Sequence, residues 1–142
     1  SILQKQKERD PKMGYARDFV GAIDSVLDAV TQRGVRVIAN AGGVNPKACA
    51  AALDALLAKQ GAALKVAYID GDDVLPRLDA WKAQGVKEMF TGAPLPEKPI
   101  SMNAYLGGFP IAAALAKGAD VGMTVQRIAV EIDLGIEAKK LA

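Results

Sequence analysis

Residues 36–49 read RVIANAGGVNPKAC. The apolar run VRVIA leads into a pair of glycines, and the helical pattern NPKACAAALDALLAKQ leads out of it. A strand handing over to a helix through a Gly-rich loop is the arrangement that α/β proteins reuse for anions, because the unpaired N–H groups of a first helical turn converge there. The same letters also describe a plain tight turn with an Asn cap. The stretch is neither G-x-G-x-x-G nor a Walker A motif, since no G-K-[ST] follows, so the pattern by itself leaves the plain turn ahead.

Outward from this point the chain alternates. Upstream, residues 16–33 place Phe19, Ile23, Val26, Leu27 and Val30 at helical spacing, with Gly34 where a C-cap glycine belongs. Residues 35–40 form a short strand, and the helix that follows has Asn45 as N-cap and Pro46 at its first position. That helix aligns Cys49, Leu53, Leu56 and Leu57 on one face and stops at Gly61. LKVAYI, 64–69, is a second strand ending in the acidic turn DGDD, and residues 74–84 predict a helix burying Leu75, Leu78 and Trp81. A short KEMFTG strand is expected next. Residues 91–102, with Pro94, Pro96 and Pro99, predict an irregular connection. Within 103–117 helix returns, starting after Asn103 or around Gly107; Gly118 ends it, and ADVGMTV is the last strand expected. Strands alternating with helices predict βαβ units, hence a mostly parallel sheet in a three-layer α/β sandwich of Rossmann or flavodoxin type. Ligands in such folds sit beyond the carboxyl ends of the strands, which makes loops 40–45, 70–73 and 91–103 the place to look.

At 142 residues and 51% hydrophobic, the chain fits a single α/β domain over 1–142 with a sizeable core. It starts inside an apparent helix, so it reads as part of a longer protein. A formal net charge of +2 with scattered basic residues gives no nucleic-acid footprint. No apolar run approaches the roughly 20 residues of a membrane span, and no signal-peptide core is visible, so a cytoplasmic protein without membrane contact is expected. One cysteine excludes an internal disulfide, and the absence of histidine removes Ser-His-Asp and Cys-His catalysis and most transition-metal chemistry. No metal site and no cofactor are required by the sequence. Chemistry would have to use carboxylates, lysine, tyrosine, the cysteine or backbone dipoles.

Four places could carry it. Gly42 and Gly43 would let the backbone approach a ligand while the helix beginning near Asn45 points its N–H groups at an anion. Asp70, Asp72 and Asp73 could hold a ribose or a hard cation, yet Asp70 lies 28 residues after Gly42 where about 20 is usual for a dinucleotide site, and the spacing is not that of a calcium loop. The plain reading is a turn followed by an Asp cap. Cys49 is either a dipole-activated thiolate or, on a stripe with three leucines, a small buried apolar residue. In ISMNAYLGGF, 100–109, Asn103 offers an amide, Tyr105 a phenol, and Gly107 and Gly108 a close backbone approach; equally, Asn103 caps a helix and Tyr105 packs with its hydroxyl at the surface. Trp81, Phe90 and Phe109 read as core.

Taken in order, ERDPKMGY, RVIANAGGVNPKAC, IDGDDVL, TGAPL and SMNAYLGGFPIAAALAKGADV resemble the acyclic terpene utilisation family, the AtuA-type proteins, over roughly residues 3–121. NAGGxNP and NAYLG are the most distinctive segments. The resemblance picks out Asn40, Gly42, Gly43, Asn45 and Pro46, then Gly71 and Asp72, then Asn103, Tyr105, Leu106 and Gly107. It implies a place in the breakdown of branched acyclic terpenoids such as citronellol and geraniol, which proceeds through acyl-CoA thioesters and a biotin-dependent carboxylation. Two departures stand out. The family opens with a Gly-rich βα unit that is absent ahead of Ser1, and after GADV the family's T-G-R is not in register, although Arg127 lies a few residues on.

Two function classes follow. In the first, an enzyme acts on an acyl-CoA thioester by hydration, dehydration or carbon–carbon chemistry beside the carbonyl. Asp72 or Tyr105 handles the proton, Asn103 orients substrate, and Asn40, Gly42, Gly43, Asn45 and Gly107 complete the ligand site. In the second, a non-catalytic module holds a nucleotide-like ligand or docks a carboxylase partner. A homo-oligomer, or a place in a larger assembly, is expected in either case.

Overall fold

The computed structural model describes residues 2–125. They divide into two compact units, one made of residues 2–70 with 106–125, the other of Gly71–Tyr105.

The larger unit is a mixed α/β structure. Helix α1 (Ile2–Arg9) is followed by α2 (Arg17–Arg33), β1 (Val37–Gly43), α3 (Pro46–Gln60) and β2 (Val66–Tyr68). After α4 (Leu78–Ala83), which belongs to the smaller unit, α5 (Phe109–Ala116) and β3 (Val121–Val125) complete it. The helix stops are where the sequence puts them: Gly34 and Gly61 both adopt the left-handed conformation at the C-caps. Asn45 caps α3 by accepting from the Ala48 N–H, and Pro46, which lacks an N–H, costs nothing at the first position. Of the α2 stripe, Ile23, Leu27 and Val30 are buried, while Val26 lies at its solvent edge.

The three strands form a small open parallel sheet in the order β1-β3-β2. The last strand therefore lies between the first two, and β1 and β2 are not neighbours. Its seat is fixed by Asp120: the backbone N–H and a side-chain oxygen of this residue bind Lys65, at 2.9 and 2.8 Å, while its carbonyl accepts from the Val37 N–H at 2.9 Å. The core collects Ile23 of α2, Cys49, Ala50 and Leu53 of α3, and Val121 and Met123 of β3. Leu53 is fully enclosed, and Leu53→Ala would cost about 3 kcal/mol in transfer and cavity terms.

In the sheet β1 falls out of step with β3. Val37, Ile38 and Ala39 pair with Val121, Gly122 and Met123, but the next pairing is Gly43 with Val125. Two extra residues of β1 are thus accommodated between Ala39 and Gly43, and this displacement turns Asn40 to the surface while Ala41, Gly42 and Gly43 go inside. The glycines expected in a loop after the strand are the end of the strand itself.

The smaller unit holds a 3-10 turn (Leu75–Arg77) and the short helix α4. Leu78 is buried, Trp81 half-buried. The expected KEMFTG strand is replaced by a tight turn closed by a single antiparallel bridge, Lys87 with Pro94. Glu88 holds that turn with its carboxylate, which accepts from the backbone N–H groups of Phe90 and Thr91 and from the Thr91 hydroxyl. A side chain this well served inside the turn favours the turn over a strand. As a result Met89 and Phe90 are exposed; Phe109, in the larger unit, is exposed as well, so neither phenylalanine belongs to the core. Of the two starts expected for the last helix, after Asn103 or around Gly107, the structure takes the later, with α5 beginning at Phe109, because Asn103 is engaged elsewhere and Gly107 has φ +68.

Candidate functional site

The candidate residues fall into two groups, one in each unit. In the larger unit the strand-to-helix corner at Gly42–Pro46 is closed by the chain's own segment 7–16. Asn45 is the hub: its Nδ2 donates to the carbonyls of Pro11 at 2.8 Å and Met13 at 2.7 Å, while its Oδ1 accepts from Ala48. The Val44 N–H donates to the Gly14 carbonyl, the Ala16 N–H to the Ala41 carbonyl, and Lys7 Nζ to the Val44 carbonyl, each at 2.9 Å. ERDPKMGY and ANAGGVNP, far apart in sequence, are two halves of one hydrogen-bonded corner.

This closeness explains the glycine pair. A Cβ on Gly42 would meet the Thr124 carbonyl oxygen at 2.6 Å and Pro46 Cβ at 2.7 Å; one on Gly43 would meet Leu3 Cδ1 at 2.6 Å and the Gly14 carbonyl at 2.7 Å. The space beside both glycines is filled by protein atoms. Asn40 stands apart from its neighbours: it is exposed and lines a groove of about 430 Å³ with Leu3, Ala16, Phe19 and Ala39. Gly107 is the opposite of the glycine pair. It has a positive φ, and a Cβ on it would meet nothing within 4 Å, so its backbone is open to approach.

In the smaller unit Asp72 and Asn103 meet. Asn103 Nδ2 donates to Asp72 Oδ2 at 3.0 Å, the Ala104 N–H donates to the Asp72 carbonyl at 2.7 Å, and an antiparallel bridge joins Asp73 to Asn103. Val74 N–H to the Met102 carbonyl, at 2.9 Å, extends the same contact. Both side chains are half-buried, and Tyr105, two residues beyond Asn103, is exposed. Residues 72–74 and 102–104 are therefore one piece of structure, built by backbone pairing and a side-chain clasp between residues 31 positions apart.

The remaining acidic residues have modest roles. Asp73 Oδ1 accepts from the Leu75 N–H at 3.1 Å, a turn-capping bond, and among the described residues no three metal-capable side chains converge. Cys49 is wholly enclosed, and burial pushes its thiol up to about 11, so at neutral pH it is a protonated apolar filler. The helix dipole does not prevail because α3 presents this position to the core. Sequence reasoning missed the displaced step at Asn40; the signal available was a glycine pair within an apolar run, which often marks a bulge.

Arg127 lies outside the described residues. Among those described, no helix is long and apolar enough to cross a membrane.

No match was found among curated proteins or among solved structures. The model of one family does match: the acyclic terpene utilisation family protein AtuA, over residues 1–126. That span contains both the Asn45 corner and the Asp72–Asn103 clasp, and the chain belongs to the AtuA family, whose role is in acyclic terpene utilisation.

Proposed function

We propose that the chain acts on a branched acyl-CoA thioester, by hydration, dehydration or carbon–carbon chemistry beside the carbonyl. The substrate class comes from the terpenoid pathway to which the family belongs. The observation that carries the chemistry is the clasp between Asp72 and Asn103. An amide holding one carboxylate oxygen fixes the orientation of the group and leaves the second oxygen to take a proton from carbon or water. Tyr105, exposed and two residues beyond the amide, is the phenol that returns a proton.

In the larger unit, Asn40 is the ligand-facing amide of the NAGG segment, and Gly107, with nothing within 4 Å of where a Cβ would stand, leaves room for a phosphate or a thioester oxygen to approach its backbone. Gly42, Gly43 and Asn45 hold the corner of the larger unit that displays Asn40. The topology supports a Rossmann-like, three-layer reading. α3 lies between β1 and β2 in the chain and α5 between β2 and β3, and crossovers of the usual right-handed sense, running in opposite directions, would set these helices on opposite faces of the sheet.

The test is solvent deuterium exchange at the carbon beside the carbonyl, together with turnover, for a branched-chain enoyl-CoA thioester. Asp72→Asn is expected to lower both by about 100-fold or more and Tyr105→Phe by at least about 10-fold, in line with the loss of a general acid or base. Unchanged rates in both variants would sink the proton-transfer assignment. Tight thioester binding with neither exchange nor turnover in the unaltered chain would instead favour a non-catalytic binding module.

A further inference from the structure

β2 (Val66–Tyr68) is an edge strand among the described residues, since β3 lies on one side of it and no strand on the other. Its free groups can be located from its bonds. The Val121 N–H donates to the Lys65 carbonyl at 3.1 Å and the Ile69 N–H to the Met123 carbonyl at 2.9 Å, so residues 65 and 69 face β3. Alternation turns the N–H and C=O groups of Val66 and Tyr68 the other way, outward. A groove of about 750 Å³ follows the strand from Leu64 to Asp70, and the small apolar residues Ala113 and Ala114 of α5 line it as well.

The two ends of the groove differ. At the start of β2, Lys65 Nζ lies beside Gly118, where a Cβ would meet it at 3.5 Å, and Lys117, also in the lining, directly precedes that glycine. Neither ammonium group makes a hydrogen bond or an ion pair among the described residues. The carboxylate of Asp120, at the same end, is taken up by the Lys65 N–H at 2.8 Å. Asp70 stands at the opposite end, and the steps of extended strand from Lys65 to Asp70 cover about 16 Å. Asp54 of α3 completes the charged lining.

A ligand suited to this groove carries an anion at one end, a small apolar group next to it, and then a linear run of amides of the same length. The phosphopantetheine arm of a coenzyme A thioester has that order. Its phosphate is followed by a carbon bearing two methyl groups and then by two secondary amides, and roughly thirteen covalent bonds separate phosphorus from sulfur, about 15 Å when extended. Resting on the acyl-CoA reading of this protein, we infer that the free edge of β2 seats this arm. Lys65 and Lys117 hold the phosphate by charge-assisted bonds, and the dimethyl carbon packs on Ala113 and Ala114. The amides pair with the outward groups of Val66 and Tyr68 as an added strand would, which directs the thioester toward Asp70. A peptide strand could satisfy the same edge, but it has no phosphate to offer the lysines.

Amide chemical-shift titration of the isotope-labelled chain tests this, with coenzyme A as the probe, pantetheine as its phosphate-free counterpart, and circular dichroism as the check on folding. Coenzyme A is expected to shift the amides of Val66, Tyr68, Ala113 and Ala114. The double variant Lys65→Gln with Lys117→Gln should raise its dissociation constant by about 10-fold or more and leave that of pantetheine within about 2-fold. Tyr68→Pro removes an outward N–H without touching the ladder to β3, and should weaken coenzyme A more than Tyr68→Ala, which keeps that N–H. Coenzyme A that binds with its largest shifts elsewhere, or with an affinity indifferent to the lysine pair, would overturn the inference and leave the acyl-CoA reading standing. No binding of coenzyme A at about 1 mM would overturn both.

Discussion

Asn45 donates to the carbonyl of Met13 at 2.7 Å, and through that bond the turn preceding α2 is tied to the start of α3. The same amide reaches Pro11, and its oxygen caps the helix. One side chain therefore makes three bonds across two segments, and its loss should be felt in both.

Asn45→Ala is expected to destabilise the chain by about 2 to 3 kcal/mol, the sum of a lost cap and two lost hydrogen bonds to carbonyls. Asn45→Asp is the sharper comparison. Aspartate is as good an N-cap as asparagine, yet it has no N–H to give and would set a negative charge against two carbonyl oxygens. Urea unfolding should find Asn45→Asp no more stable than Asn45→Ala. If it kept near-native stability, capping alone would be the role of this residue.

The glycine pair should be intolerant for reasons of space. Gly42→Ala and Gly43→Ala force a methyl group to within 2.7 Å or less of backbone, ring or side-chain atoms, and are expected to cost about 2 to 4 kcal/mol each. Gly61→Ala serves as the control. It carries the penalty of a positive φ but meets nothing within 4 Å, so about 1 kcal/mol is expected. Thermal melts should therefore place both members of the pair below the control.

Cys49 should be inert to alkylation in the folded chain and react only on unfolding. Its thiol is raised from 9.0 to about 11 by burial. The unfolded chain therefore releases this proton first as the pH rises, so the thiol's share of stability is complete below pH 9 and is lost as the pH climbs toward 11, by up to roughly 3 kcal/mol. Urea midpoints at about pH 8 and pH 10 should differ more for the unaltered chain than for Cys49→Ala, the difference isolating the thiol from other alkaline titrations.

Glu88 has a carboxyl held below its usual range, first by the Thr91 hydroxyl and then by the N–H groups of Phe90 and Thr91. A depressed folded value means that its contribution is present above the unfolded pKa and is lost as the pH falls through the folded one. Amide protection factors at Phe90 and Thr91, taken against the intrinsic exchange rate at each pH, should be raised near neutrality and fall on acidification ahead of global unfolding. Glu88→Ala should show low protection at both amides whatever the pH.

Much of this protein was legible along the chain because its signals act within four or five residues. The periodicity of Ile23, Leu27 and Val30, the Asn45 cap with Pro46, and the stops at Gly34 and Gly61 depend on a helix's own turns, and all lie where the spacing puts them. The prolines between 91 and 102 likewise forbid regular structure by their own chemistry. The candidate residues Asp72 and Asn103 could be named from the sequence, but nothing local says that they touch.

What only the tertiary structure decided are the relations between distant segments. The insertion of β3 between β1 and β2 depends on Asp120 binding both Lys65 and Val37, and the two-residue displacement that exposes Asn40 depends on where Val125 meets Gly43. Whether Phe90 is core or surface was settled by the carboxylate of Glu88, which closed a turn where β propensity favoured a strand. Sequence by itself determined where α2 and α3 begin and end, and that glycines stand at 42 and 43. The fold determined why: the neighbours that leave no room for a side chain come from Leu3, Gly14 and Thr124, and no spacing within the motif records them.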